Sequence, residues 1–127
     1  MTDADIKDLI GKTLVDISIN DEKDEIRFTD DTGKSWRMYH SQDCCETVKI
    51  EEIIGEIKDL IGSTIIEAEV VTHKNETPPE VNTPEYPDCY TWTFYKLGTQ
   101  KGFVTLRWLG ESNGWYSEEV SFEGVGK

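Results

Sequence analysis

The segment Ile6-Lys7-Asp8-Leu9-Ile10-Gly11 returns letter for letter, fifty-one positions later, as Ile57-Lys58-Asp59-Leu60-Ile61-Gly62. The likeness continues at the same offset, where Thr13, Leu14, Val15 and Asp16 align with Thr64, Ile65, Ile66 and Glu67. An identity of this length followed by conservative matches marks two diverged copies of one supersecondary unit. Two copies do not make a solenoid. They predict a pseudo-symmetric single domain over residues 1–127, with units of about 3–46 and 47–123, each supplying one helix and part of a sheet.

Within each unit the hydrophobic periods assign the elements. Ile6, Leu9 and Ile10, then Ile50, Ile53, Ile54, Ile57, Leu60 and Ile61, recur at three- and four-residue spacing with Glu51, Glu52, Glu56 and Asp59 opposite them, the pattern of amphipathic helices. Gly11 and Gly62 stand where left-handed caps are wanted, and Thr2 or Asp3 is placed to cap the first helix. Val15, Ile17 and Ile19, and later Ile66, Ala68 and Val70, alternate with polar residues as half-buried strands do. Glu25 to Thr29 and Ser35 to His40 flank Asp30-Asp31-Thr32-Gly33 and predict a hairpin. Tyr90 to Lys96, Gly102 to Leu109 and Trp115 to Phe122 predict a meander. The expected fold is α+β, a mostly antiparallel sheet with two helices on one face, built from two diverged αβββ units. Two smaller sheets are the alternative. Residues 72–89 hold all four prolines and no period, and predict a long loop.

Charge limits the partners. The 26 acids and 13 bases leave a net charge of −13, spread along the whole chain, so direct nucleic-acid binding and anionic membranes are disfavoured. No apolar run is long enough for a membrane span, and Asp3, Asp5 and Asp8 are unlike a secretory leader. Three cysteines, two of them adjacent, do not support a disulfide framework.

The densest reactive cluster is His40-Ser41-Gln42-Asp43-Cys44-Cys45-Glu46, between a predicted strand and the predicted long helix. Helix N-termini favour anions and thiolates, so a cysteine nucleophile with His40 as base and Asp43 as orienter can be written. The plainer reading makes Asp43 and Glu46 a capping box and the cysteines buried hydrophobes. His40, Cys44, Cys45 and Cys89, with His73, offer soft metal ligands without a ligand-pair spacing. No glycine-rich phosphate loop follows a strand, and no cofactor is expected. Strand alternation puts Trp36, Met38 and His40 on one face and Arg37 and Tyr39 on the other. Arg37, Arg107, Trp108 and Tyr116 therefore join the cluster as binding candidates, because guanidinium and aromatic groups make stacking platforms and interface anchors.

Met38 to Glu46, Ile53 to Gly62, Tyr90 to Lys96, Val104 to Trp108 and Glu111 to Glu118 resemble an uncharacterised family of small bacteriophage-encoded proteins, a likeness running over residues 36–123. The resemblance implies the cytoplasm of an infected bacterial host and no known catalytic activity. It points to the His40–Glu46 motif and the Asn113-Gly114 turn as the places to examine.

Three functional expectations follow. The first is a non-enzymatic binding protein that acts on the host, including counter-defence by sequestering a nucleotide-like signal or a host protein. A nucleotide would be held by Arg37 or Arg107 on phosphate, an aromatic on the base, and Asp43, Cys44, Cys45 and Glu46 at the helix start. The second is an acidic DNA mimic that occupies a nucleic-acid-binding host protein. The third is a cysteine- or metal-dependent enzyme. A homodimer is compatible with each.

Overall fold

A computed structural model describes residues 2–41, 46–74, 89–112 and 117–125. Among them the chain runs β1 (Thr2–Asp3), a 3₁₀ turn (Ile6–Leu9), β2 (Leu14–Ile19), β3 (Glu25–Asp30), β4 (Ser35–Tyr39), β5 (Thr47–Ile54), a second 3₁₀ turn (Ile57–Leu60), β6 (Glu67–Lys74), β7 (Cys89–Thr99), β8 (Gly102–Ser112) and β9 (Ser121–Val125). Every strand pair is antiparallel, and the strands form two sheets, ordered β1-β9-β4-β3-β2 and β5-β8-β7-β6. Phe28, Trp36, Met38 and Phe122 of the first sheet share one core with Ile50, Leu97, Leu106 and Trp108 of the second. Each such fully buried side chain contributes on the order of 1.5–3 kcal/mol by leaving water, so the layers are held face to face by the alternate residues of their strands.

This architecture replaces the expected α+β fold: among the described residues the helical elements are two single 3₁₀ turns, and all the other regular structure is antiparallel strand. The first expected helix is only the turn Ile6–Leu9. It is capped by Asp5, whose Oδ1 accepts from the Lys7 amide at 2.9 Å, while Asp8 accepts from the Asp5 amide at 3.1 Å. Gly11 follows at φ +88° and redirects the chain, leaving no room for two helical turns.

The second expected helix, Ile50 to Ile61, is β5, a bend at Gly55 and the second turn. The helical period there is produced by a bulge. Opposite β8, Ile50 pairs with Trp108, Glu52 with Arg107 and Ile53 with Leu106, with a register shift between Ile50 and Glu52. One extra residue turns the two-residue period of a strand into a spacing of three, so Ile50 and Ile53 both face the core, as i and i+3 would on a helix.

The hairpin of β3 and β4 forms, with Arg27 opposite Arg37 and Phe28 opposite Trp36. β7 and β8 form the first two strands of the expected meander, but β9 does not join them; it crosses to lie between β1 and β4. Strand also replaces loop at Thr72, His73, Lys74 and Cys89.

The two halves are tied to each other at matching positions. The Gly11 amide donates to the Ile65 carbonyl at 2.8 Å and the Gly62 amide to the Leu14 carbonyl at 2.8 Å, two bonds related by the offset of the repeated segment. Thr13 and Thr64 form a bridge between them. Each half runs turn, strand, strand, strand, strand, and the last strand is exchanged: β5 completes the sheet of β6–β8, and β9 completes that of β2–β4.

Candidate functional site

The crossover from β4 to β5 carries the His40 cluster. Among the described residues no helix follows it, since Glu46 leads directly into β5, so the long helix expected after the cluster is a strand. His40 and Glu46 have side chains only 3% and 0% exposed, with His40 Nε2 2.7 Å from the Glu46 carboxylate. His40 Nδ1 lies 2.7 Å from the Glu119 carbonyl. A carbonyl only accepts, so Nδ1 is the donor in that contact, while Nε2 faces the Glu46 carboxylate. Both ring nitrogens are engaged, and service as a general base would require breaking one of these bonds. Asp43, Cys44 and Cys45 lie outside the described residues, as do Asn113 and Tyr116.

The two arginines occupy outer faces of different sheets. In β4 Trp36 and Met38 are buried, which turns Arg37 and Tyr39 outward; in β8 Leu106 and Trp108 are core, which turns Arg107 away from it. Arg37 donates from Nε to Glu25 at 2.9 Å and lies 3.6 Å over the Tyr39 ring. Glu25 also accepts from Arg27 at 3.0 Å. Burial works to raise the Glu25 pKa, but the hydrogen bonds and charges of Arg27 and Arg37 together hold it below its ordinary value. Arg107 donates to Glu51 at 2.6 Å and to Glu52 at 2.8 Å. The bulge explains this pair, because it sets two β5 residues against one on β8. Both guanidiniums are thus matched by carboxylates. Trp108, expected as a stacking platform, is 0% exposed in the core.

A site that the sequence did not single out runs along the inner face of β6 and β7. Three cavities, of about 400, 240 and 320 Å³, follow one another there. The first and second share Val70, Tyr95 and Val120, and the second and third share Thr72, Thr91 and Glu119. The floor is the cross-strand ladder Val70–Tyr95, Thr72–Thr93 and Lys74–Thr91, whose members all point one way because alternate residues share a face. The opposite wall is the segment 117–120 that leads into β9.

That wall is fixed by Glu118, which is 7% exposed. The Thr91 hydroxyl donates to its Oε1 at 2.6 Å, and the Ser112 hydroxyl donates to Oε2. Gly110 lies beneath it, where a Cβ would stand 2.7 Å from the Glu118 carbonyl oxygen and 2.8 Å from its Cβ, so only glycine permits this approach. At the other end Tyr95 has its phenol pushed up to about 12, chiefly by burial and then by the Asp5 charge. Asp5, Asp8, Glu118 and Glu119 line the groove against a single base, Lys74, giving it negative potential. The available signal was the threonine alternation, Thr91 and Thr93 between Trp92 and Phe94, which puts hydroxyls where a strand facing a closed core carries apolar groups.

Among the described residues no three or more His, Cys, Asp or Glu side chains are grouped to hold a metal, and no helix is long and apolar enough to cross a membrane. Of the candidate ligands, His73 packs edge-on against Phe94 at 5.8 Å, and Cys89 lines the groove. No curated protein and no solved structure matches the chain. A model of the DUF7448 family, a domain of unknown function, matches residues 7–122, and the chain belongs to that family.

Proposed function

We propose that the protein is a non-enzymatic binding protein whose inter-sheet groove receives an extended, basic segment of a partner protein. The carrying observation is the continuity of the groove along the ladder from Val70 to Lys74 under acidic walls. The four steps from Val70 to Lys74 span about 13 Å, the reach of a short extended peptide. The apolar stems of its lysines or arginines fit Val70 and Val120, and their charged heads meet Asp5, Asp8 and Glu119. A peptide of this charge is also the ligand that a surface of net charge −13 attracts.

The resemblance to phage-encoded proteins supports a host protein as the partner, met in the cytoplasm of an infected cell. A nucleotide-like ligand has less support, because Arg37 and Arg107 face opposite ways and each already holds carboxylates. The test is fluorescence anisotropy with a labelled lysine-rich peptide and a glutamate-rich control. Binding of the first alone, weakened by salt and lost in Glu119→Lys and Val70→Lys, is expected. Equal binding by those groove variants would overturn the proposal.

A further inference from the structure

Among the described residues β6 is the outermost strand of its sheet. It pairs with β7 through eight consecutive residues, Glu67 opposite Gly98 to Lys74 opposite Thr91, without a register shift. Glu69, Val70, Val71 and Thr72 are all exposed, Val70 at 47% and Val71 at 48%. β2, which holds the matching place in the other half, is a different edge: it has a bulge between Leu14 and Asp16. Bulges, prolines and short length are the usual protections of an edge strand. β6 is eight residues long with neither bulge nor proline, and its protection is the charge of Glu67, Glu69 and Lys74, so its outward row of N–H and C=O groups is a template for a strand whose residues match those charges.

The residues of β6 specify which strand. Two copies related by a two-fold axis perpendicular to the sheet pair antiparallel with like faces on the same side, so each residue meets one of the same alternation. With the axis at Val71, Val71 meets Val71, Glu69 meets His73 twice, and on the groove face Val70 meets Thr72. Moving the axis to Glu69 sets two Glu69 carboxylates opposite each other. Moving it to Ala68 sets Glu67 against Glu69, and moving it to Val70 leaves Glu69 against Val71. The Val71-centred register combines an apolar centre with flanking carboxylate–imidazole pairs.

We propose that the protein forms a two-fold dimer by antiparallel β6–β6 pairing centred on Val71, joining the two four-stranded sheets into one of eight strands. The dimer does not depend on peptide binding, and the two respond oppositely to salt. Each copy carries −13, so low salt opposes the dimer and screening, with a Debye length of about 8 Å at physiological ionic strength, favours it. A basic peptide binds less tightly as salt rises.

The experiment is sedimentation velocity on the full chain over a concentration series at low and physiological salt. Wild-type protein is expected to pass from one chain mass to two, at lower concentration in the higher salt. Val71→Lys, a change at an exposed position, and Glu69→Lys are expected to stay at one chain mass with unchanged circular dichroism, and the exchange Glu69→Lys with His73→Glu is expected to restore the dimer. A wild-type chain that remains single at the highest concentration in both salts overturns the proposal, and so does a dimer undiminished in Val71→Lys. Failure of the exchange to restore it overturns the assigned register.

Discussion

The hydroxyls of Thr13 and Thr64 meet at 3.3 Å, between two residues separated by the same offset that separates the copies of the repeated segment. They mark the pseudo-two-fold axis of the molecule, because the reciprocal Gly11–Ile65 and Gly62–Leu14 bonds lie on either side.

The glycines at this axis are required by backbone conformation alone. Gly11 has φ +88°, and a Cβ there would meet nothing within 4 Å. Gly11→Ala should lower unfolding stability by about 1–2 kcal/mol in urea titration, the left-handed penalty. Gly55→Ala should cost more, since its φ is +109° and its Cβ would stand 2.5 Å from the Phe103 carbonyl oxygen.

Removing the donor to Glu118 should loosen the groove wall. Thr91→Val leaves a buried carboxylate oxygen without its 2.6 Å partner and should cost about 1–3 kcal/mol. Peptide affinity should fall with it, as measured by anisotropy, while wild-type affinity in a variant of this kind would detach Glu118 from the site.

Acid should destabilise the protein through Asp30. Burial, at 3% exposure, works to raise its pKa, but the Thr32 hydroxyl, the amides of Thr32 and Lys34 and the Lys12 charge outweigh it and hold the pKa below 3.8. A depressed folded value gives stability that is present above the unfolded pKa and lost as pH falls through the folded one. The unfolding midpoint should therefore drop below about pH 4, and Asp30→Asn, less stable at neutral pH, should flatten that drop.

Alkali should act through Tyr95. With its pKa raised from 10.0 to about 12, the folded state keeps a proton that the unfolded chain releases, so stability present below pH 10 falls as pH rises toward 12. Tyr95→Phe should remove that part of the alkaline decline in a pH series of thermal unfolding.

Arg37→Ala and Arg107→Ala should leave peptide binding in the groove unchanged, because both side chains lie on outer faces. Arg107→Ala should cost about 1 kcal/mol or less from its ion pairs, since Glu51 and Glu52 are 40% and 54% exposed. Loss of groove binding in either variant would place the site elsewhere.

Local patterns reached the β3–β4 hairpin and the β7–β8 pair because Asp30 to Gly33 and the aromatic alternation act between neighbours in sequence. They failed at β5, where a bulge imitates the helical period, and at β9, whose partner β4 is far away in the chain: the Tyr39 hydroxyl donates to Glu123 eighty-four residues on. The groove was hidden for a related reason. Glu118 is one of 26 acids, and only the partners Thr91 and Ser112, brought by separate strands, distinguish it from a solvated carboxylate.

The exchange of β5 and β9 also sets an order in time. During synthesis the first sheet has β2, β3 and β4 early, but β4 keeps an open side until Ser121–Val125 has left the ribosome. Such distant pairing slows folding. A nascent chain halted before Ser121 is left with that side unsealed, exposed to adhesion with whatever strand arrives first.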